Sequence, residues 1–505
     1  MDEKGLAANL DVTLGTPEPE SEYIPKIVRK YGPPAFKDWR GELSKLNEPF
    51  WAALRAFETD TVYSPEDGTF YRYNETSGLY ERLTKETLLA DFERRIFAAA
   101  NEWGPAWKNL EQLRSARALD GVIRHFKART HVVDAFRRPE DWKPIIACQN
   151  CVVRIDEETG QPIPESFSPK LRLRHGSPFK YVPGAKCEKF EKHLFGHLDQ
   201  DDQLLIQKLG GQCLLGYNLC QRITIFDGVG ASSKSTLLEV LRRILGPYAC
   251  AELRTRLLEE RFEIGAIAGA VLLCGSDVPG NFLSRKGADK IKALVGGDLL
   301  ECEAKGSNQR LRIRGLFNIF ITANTILHVS IQGDYKSWDR RIVRIHFPRP
   351  YVGQPNPKLA DELLSEEGPG ILNFYLQGII ELLKDFREVG DLRLSDKHKA
   401  LTRTLLDESD SLHIFLRSSI EKVPYGQGDG ITTEELLGEY HTYCDTRDWN
   451  PLKSSELRTR IPDLMHKLFG ASQTNNLERF GEKKYRGYRM VKLKIVAPPT
   501  EEDWH

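Results

Sequence analysis

The sequence predicts a multidomain protein: an α+β N-terminal domain, an α/β core built around a phosphate-binding loop, and a C-terminal winged-helix domain. Three observations carry this. Ile223–Tyr248 reads as strand, small-residue loop, Lys-Ser-Thr, helix. Short, wholly apolar runs ending on polar residues follow it, as buried strands of a parallel sheet do. The tail then reads as helix, helix, basic hairpin. At 505 residues there is room for about three domains.

Composition excludes several classes. Hydrophobic residues make up 40% and charged residues 29%, as in soluble globular chains. No run of ~18 apolar residues would span a bilayer. The opening MDEKGLAANL lacks a basic n-region and an apolar core, so no secretory signal is expected and the expected compartment is the cytoplasm. Lys plus Arg equals Asp plus Glu, at 72 each, so any nucleic-acid contact must come from local basic patches. The nine cysteines are expected as reduced thiols. Cys148 and Cys151 form a C-x-x-C with no second matched pair, so a structural role is expected rather than a zinc site.

Residues 1–40, rich in Pro, Glu and Gly, read as a flexible or loosely docked arm, with compact structure starting near Phe36 or Leu43. Residues 41–190 read as the α+β domain. It has a helix over Leu46–Phe57, two short strands at Thr69–Tyr73 and Leu79–Arg82, and helices over Leu88–Ala100 and Leu110–Ala128. The basic side of the last helix reads as a solvated face. No paired-aspartate cluster followed by a histidine suggests primase chemistry.

Residues 191–390 read as the core. Helices lead into a strand at Ile223–Phe226. In the loop that follows, Gly228, Gly230, Ser232 and Ser233 let backbone N–H groups turn toward a triphosphate, and the helix N-terminus adds its positive dipole end. Lys234 is placed to reach the β/γ-phosphates and Ser235 to hold magnesium through its hydroxyl, with Thr236 beside them. Ser233 stands where the pattern has its second glycine, the residue that best tolerates positive φ. Ala270–Cys274 is a second buried strand that delivers Asp277, a candidate magnesium-holding and water-polarising acid. Lys286–Leu294 is expected helical. Leu299–Ala304 and Arg310–Arg314 are expected to pair as a hairpin with Lys305 at its tip, made basic by Lys305, Arg310, Arg312 and Arg314. Leu316–Thr322 is a third strand, ending at Asn324, whose amide can orient an attacking water. Arg340 and Arg341 precede a further apolar alternation. An arginine there can complete a neighbouring subunit's site.

Residues 391–505 read as a helical connector and the winged-helix domain. Leu359–Phe386, before it, is expected to break at Gly368-Pro369-Gly370. Thr432 or Thr433 caps a helix ahead of Glu434 and Glu435, and a second helix starts at Ser454. The segment RFGEKKYRGYRMVKLK is expected to be a two-stranded wing. Lys483, Lys484 and Arg486, interleaved with Tyr485 and Tyr488, would contact phosphates and stack on bases.

In order, the phosphate loop, the acid after AVLLCGS, IKALVGGD, the strand ending in TAN and WDRRIVRIHF resemble superfamily 3 helicases. More narrowly they resemble the phage and plasmid primase-helicase family, related to the poxvirus primase-helicase. The resemblance implies an AAA+-like ATPase core, ATP and Mg2+ as cofactors, and a homo-hexameric ring threaded by single-stranded DNA. It assigns Lys234 and Ser235 to Walker A, Asp277 to Walker B, Asn324 to sensor 1, Arg340 or Arg341 to the arginine finger, and Lys305 to the pore hairpin. Two departures weigh on the hydrolysis rate: Ser233 replaces a glycine, and Asp277 replaces the usual glutamate. No primase half of the kind that some relatives carry is expected in these residues. The expected function is an ATP-dependent DNA helicase in replication of a phage, plasmid or other mobile element. Its expected partners are single-stranded and duplex DNA, copies of itself and a separate primase or polymerase, with no membrane. The alternative is a nucleotide-gated DNA-binding or assembly protein with weak hydrolysis.

Overall fold

Tyr23 and Ile27, four residues apart, place two apolar side chains on one helical face. In the computed structural model they are buried in helix Glu20–Tyr31. The structure describes residues 20–136, 143–260, 263–284, 287–303, 310–331, 334–351, 356–424, 430–446, 449, 451–478 and 483–494. The expected arm is therefore corrected for residues 20–40. The helix packs Tyr23 and Ile27 into the same cluster as Phe50, Trp51 and Leu54, despite its proline at position 25. Residues 1–19 lie outside the described part.

The chain divides into two units: residues before 143 with Glu165–Arg174, and Lys143–Pro164 with His175 onward. The expected boundary at 190 is thus drawn too late for most of 143–190. In the first unit, Thr69–Asn74 and Leu79–Leu83 pair antiparallel, and helix Lys85–Glu102 is capped by Thr84. The expected helix over Leu110–Ala128 is instead a 3-10 stretch, Pro105–Leu113, then an α-helix, Ala116–Thr130. Ser115 separates them because its side chain accepts from Ala118 N and starts a new helix. Cys148 and Cys151 lie at the turn joining strands Ile145–Ala147 and Val152–Ile155, and Cys148 N–H donates to Cys151 O. Burial pushes the Cys148 thiol up to about 12.

The second unit holds a five-stranded, all-parallel sheet. Its strands are β1 (Ile223–Gly228), β2 (Cys250–Glu252), β3 (Leu272–Gly275), β4 (Asn318–Thr322) and β5 (Ile342–Phe347). Their spatial order is 2-3-4-1-5. β1 therefore lies between β4 and β5, and every strand ends on the same edge. Ile223 and Ile225 point into one cluster with Leu327, Trp338, Leu405 and Leu406.

Around the sheet, α1 (Gln200–Leu214) and α2 (Lys234–Leu245) precede α3 (Tyr335–Arg341), α4 (Leu359–Val389), α5 (Asp396–Asp407) and α6 (Ser411–Ser419). Helix α4 runs unbroken through Gly368-Pro369-Gly370, against expectation. These glycines serve close approach: a Cβ on Gly368 would sit 2.3 Å from the Phe179 ring, and one on Gly370 would sit 1.9 Å from Lys186 O. α4 also meets α1 nearly backbone to backbone, since a Cβ on Gly378 would lie 1.9 Å from Gln207 O. Lys208 on α1 and Asp385 on α4 form a buried ion pair at 2.6 Å. The expected helix over Lys286–Leu294 is shorter, Lys290–Gly296.

The tail has its own core of Leu412, Phe415, Leu436, Tyr440, Leu457, Met465 and Tyr488, among others. Helix Thr433–Asp445 starts on a capping box between Thr432 and Glu435, so Thr432 is the cap. Helix Ser454–Phe469 follows. The hairpin is offset from its expected position: Gln473–Glu478 pairs with Lys484–Tyr488, and Ile431–Thr432 extends that sheet on the other side. Val491–Leu493 instead pairs with Ile420–Lys422.

Candidate functional site

Parallel strands bring their C-terminal ends to one edge, and three chemistry-bearing segments meet there. β1 ends at Gly228, whose φ is +124°. A Cβ there would lie 2.1 Å from Phe347 O on β5, so only glycine fits. At Gly230 an added Cβ would meet nothing within 4 Å, which leaves room for a ligand to approach the backbone. Ser233 holds φ 67° and ψ 6° as the residue before α2, with no side-chain capping bond. A side chain in this left-handed region costs about 1 kcal/mol. Ala231 is also left-handed, at φ 55°.

Lys234 opens α2 and is buried. Its ammonium donates to Gly228 O at 3.2 Å, Val229 O at 2.6 Å and Ser232 Oγ at 2.9 Å. All three lysine donors thus close on the loop they would serve. Burial pulls the lysine pKa down, while the carboxylates of Asp227 and Asp277 act to raise it. The loop is braced from outside. Val229 N–H donates to Phe347 O, Tyr351 N–H donates to Ala231 O, and His193 Nδ1 lies 2.7 Å from the Tyr351 hydroxyl.

Asp277 follows β3 and Asn324 follows β4, an adjacent strand. Asn324 Nδ2 donates to Asp277 Oδ1 at 2.7 Å. Asp277 takes a positive φ of 47°, held there as its N–H donates to Thr322 Oγ1 at 2.8 Å. The expected acid and amide are therefore brought together, on the strand pair next to β1. Ser235 is exposed in the first turn of α2, and Thr236 is half-buried behind it.

The arginines lie elsewhere. Arg340 and Arg341 form the last turn of α3, at the start of β5. β5 runs parallel to β1 from Ile342, opposite Ile223, to Phe347, opposite Gly228. At ~3.3 Å per residue, six residues put them roughly 20 Å from the 228–233 loop of the same chain. Arg341 Nη1 donates to Ser337 Oγ at 2.7 Å. Burial and the neighbouring Arg340 pull its pKa down.

Of the expected DNA-facing residues, Lys305 and the Arg310 side chain lie outside the described part. Arg312 is exposed on hairpin Leu299–Glu303/Arg310–Arg314 and pairs with Glu301 at 3.5 Å. Lys483, Lys484 and Arg486 are exposed, with Arg486 donating to Gln473 Oε1 at 2.8 Å. Two expectations are corrected. Tyr488 is fully buried in the tail's core and offers no stacking face. Lys492 lies outside the hairpin and pairs with Glu421 at 3.0 Å.

Asp227, Arg344 and His346 also meet at this edge and are not among the expected site residues. Asp227 is 1% exposed at the end of β1. One oxygen accepts from Arg344 Nε and the other lies 2.8 Å from His346 Nδ1. A signal was present: polar residues at alternate positions of an apolar strand, R-I-H, share one face of β5.

A cavity of about 760 Å³ opens at this edge, lined by residues including Gly228, Val229, Asn324, Ile326, His346 and Ile414. No described helix is long and apolar enough to cross a membrane.

No curated protein matches the chain. Solved structures align over most of it at low similarity. One is the A form apo structure of the NrS-1 C terminal region, at 12% identity, over 86% of this chain and 98% of that chain, with a TM-score of 0.41. Another is the apo structure of the NrS-1 C terminal region (305-718), at 12% identity, 88% and 99% coverage, and a TM-score of 0.43. Residues 52–194 match the family model described as D5 N terminal like, and residues 226–341 match a family of unknown function, DUF5906. The DUF5906 match spans Lys234, Asp277, Asn324 and both arginines, so the residues gathered at the strand edge and the two arginines fall within one family segment.

Proposed function

We propose that this chain is an ATP-dependent DNA helicase or translocase of a phage-type or plasmid-type replication system, working as a hexameric ring on single-stranded DNA. The observation that carries the reading is the Asn324–Asp277 hydrogen bond beside the Lys234 loop, across strands that flank and follow β1 in the order 2-3-4-1-5. A cation on the loop and an acid and an amide on the adjoining strand ends support a reading of phosphoryl transfer to water. The D5 N terminal like segment is of a kind met in primase-helicase replication proteins, which supports the same reading.

The residues present fit ATP and Mg2+. Gly230 leaves an open face on the loop. Ser235 and Asp277 offer the hard oxygens that magnesium prefers. Asn324 donates to one Asp277 oxygen, and the other would help to hold the ion. Magnesium, when bound, neutralises charge on the terminal phosphates. Asn324 and Asp277 orient the attacking water, and Lys234 leaves the loop carbonyls for phosphate oxygens. Arg340 or Arg341, remote from the loop of its own chain, serves a neighbouring copy. The Lys305 hairpin and the exposed Lys483, Lys484 and Arg486 grip the DNA backbone, the latter on a winged-helix domain. A separate primase or polymerase completes the replication system.

The test is ATP hydrolysis by the full chain with and without single-stranded DNA. Strong stimulation by DNA is expected, and DNA-independent turnover refutes the motor. The left-handed Ser233 favours a second reading, a nucleotide-gated DNA-binding or assembly protein with slow hydrolysis. Ser233→Gly separates the two. Relief of backbone strain is expected to stabilise the protein by about 1 kcal/mol in both cases, read by chemical denaturation. For a motor the turnover changes less than about twofold, whereas a gain of tenfold or more, about 1.4 kcal/mol off the barrier, marks an impaired site.

A further inference from the structure

The cavity at the strand edge extends past the residues that the phosphate chemistry uses. Asp277 and Asn324 stand at the ends of β3 and β4, on one side of β1. A terminal phosphate held there and a loop gripping the rest of the triphosphate leave the other end of a nucleotide to run toward β5. On that side stands the His346 ring of β5, and the same cavity is lined by Val229 on the loop, Ile326 just past Asn324 and Ile414 on α6. Val229 and Ile326 are 41% and 39% exposed, so two aliphatic side chains lie open to solvent beside a charged loop. Apolar surface of this kind suits a flat heterocycle and does nothing for a phosphate.

Thr325, His328 and Glu408 also line the cavity, and His346 is the polar side chain held in place by the buried Asp227. The buried Asp227 carboxylate, paired with Arg344, only accepts hydrogen bonds. His346 therefore donates through Nδ1 at 2.8 Å, which fixes the ring and leaves Nε2 for a ligand. The ring is 39% exposed. Asp227 acts through His346 and is a positioning residue.

We infer that this cavity receives the nucleoside of the bound nucleotide and that His346 is its polar contact. The inference rests on the nucleotide reading above. It assigns the aliphatic lining and His346 to the base and ribose, and Lys234, Asp277 and Asn324 to the phosphates.

The test titrates the full chain, in magnesium, with ATP and separately with inorganic tripolyphosphate. Wild type, His346→Phe and Ile414→Trp are compared. The first variant keeps a planar ring without nitrogens; the second fills the cavity from α6. ATP is expected to bind wild type more tightly than tripolyphosphate. ATP affinity is expected to fall about tenfold in His346→Phe and more in Ile414→Trp, about 1.4 kcal/mol for the first. Tripolyphosphate affinity stays unchanged in both, which also shows that the loop is intact. Equal losses for both ligands would make His346 a phosphate contact and overturn the inference. So would unchanged ATP affinity in both variants, or wild-type ATP binding no tighter than tripolyphosphate, with the phosphate site still standing. Failure of wild type to bind either ligand overturns the nucleotide reading itself and this inference with it.

Discussion

Replacing Lys234 with alanine is expected to weaken ATP binding at least a hundredfold and abolish measurable hydrolysis. The lysine is the cation buried at the loop, and its three donors now satisfy Gly228 O, Val229 O and Ser232 Oγ. A triphosphate offers charged oxygens in place of neutral carbonyls, so the exchange favours the ligand by roughly the difference between charge-assisted and neutral bonds. Losing one buried charge partner costs ~2–5 kcal/mol, and ~3 kcal/mol is more than a hundredfold in affinity. The fold should survive. Helix α2 is anchored by Leu237, Leu238, Val240, Leu241 and Ile244, all buried, and not by its first residue. Fluorescence titration with a labelled ATP measures the loss, and circular dichroism checks that the helices remain. Wild-type affinity in the variant would remove the loop from the proposed mechanism.

Lys208→Met is expected to have the largest effect on stability, a loss of about 3–5 kcal/mol. Lys208 and Asp385 have side chains 6% and 5% exposed. Asp385 Oδ2 also accepts from Arg393 N–H at 3.1 Å, so the carboxylate anchors the chain just past α4. Removing the ammonium leaves a carboxylate buried between helices that approach closely at Gly378 and Gly211. Removing both charges in Lys208→Met with Asp385→Leu should restore much of the loss, because the desolvation penalty of the orphaned charge goes with it. Guanidinium denaturation of the single and double variants measures both. A double variant as unstable as the single one would mean that the pair's hydrogen bonds, rather than charge burial, hold α1 to α4.

Local rules account for what was legible. The strand–loop–helix at 223–245, the strands ending at Asp277 and Asn324, the antiparallel pair at 69–83 and the Thr432–Glu435 capping box each depend on residues within a few positions of one another. Periodicity, small-residue loops and capping pairs express such short-range preferences directly. Helix Glu20–Tyr31 was legible too, through Tyr23, Ile24, Ile27 and Val28, but the surrounding Pro and Glu content masked it.

By itself, then, the sequence determined the strand–loop–helix at 223–245 and the strands that lead to Asp277 and Asn324. The tertiary structure alone decided how these ends meet. The order 2-3-4-1-5 puts Asn324 against Asp277, and the register of β5 on β1 puts His346 against Asp227 across 119 positions of chain. It also decided that Gly368-Pro369-Gly370 stays helical, because Phe179 and the Lys186 backbone pack where a Cβ would be, and that Tyr488 faces a core rather than a base. The physical reason is common to all four. Propensity and periodicity are set by a residue's own backbone and its near neighbours, whereas strand order, close packing and buried ion pairs are set by burying surfaces that are distant in sequence.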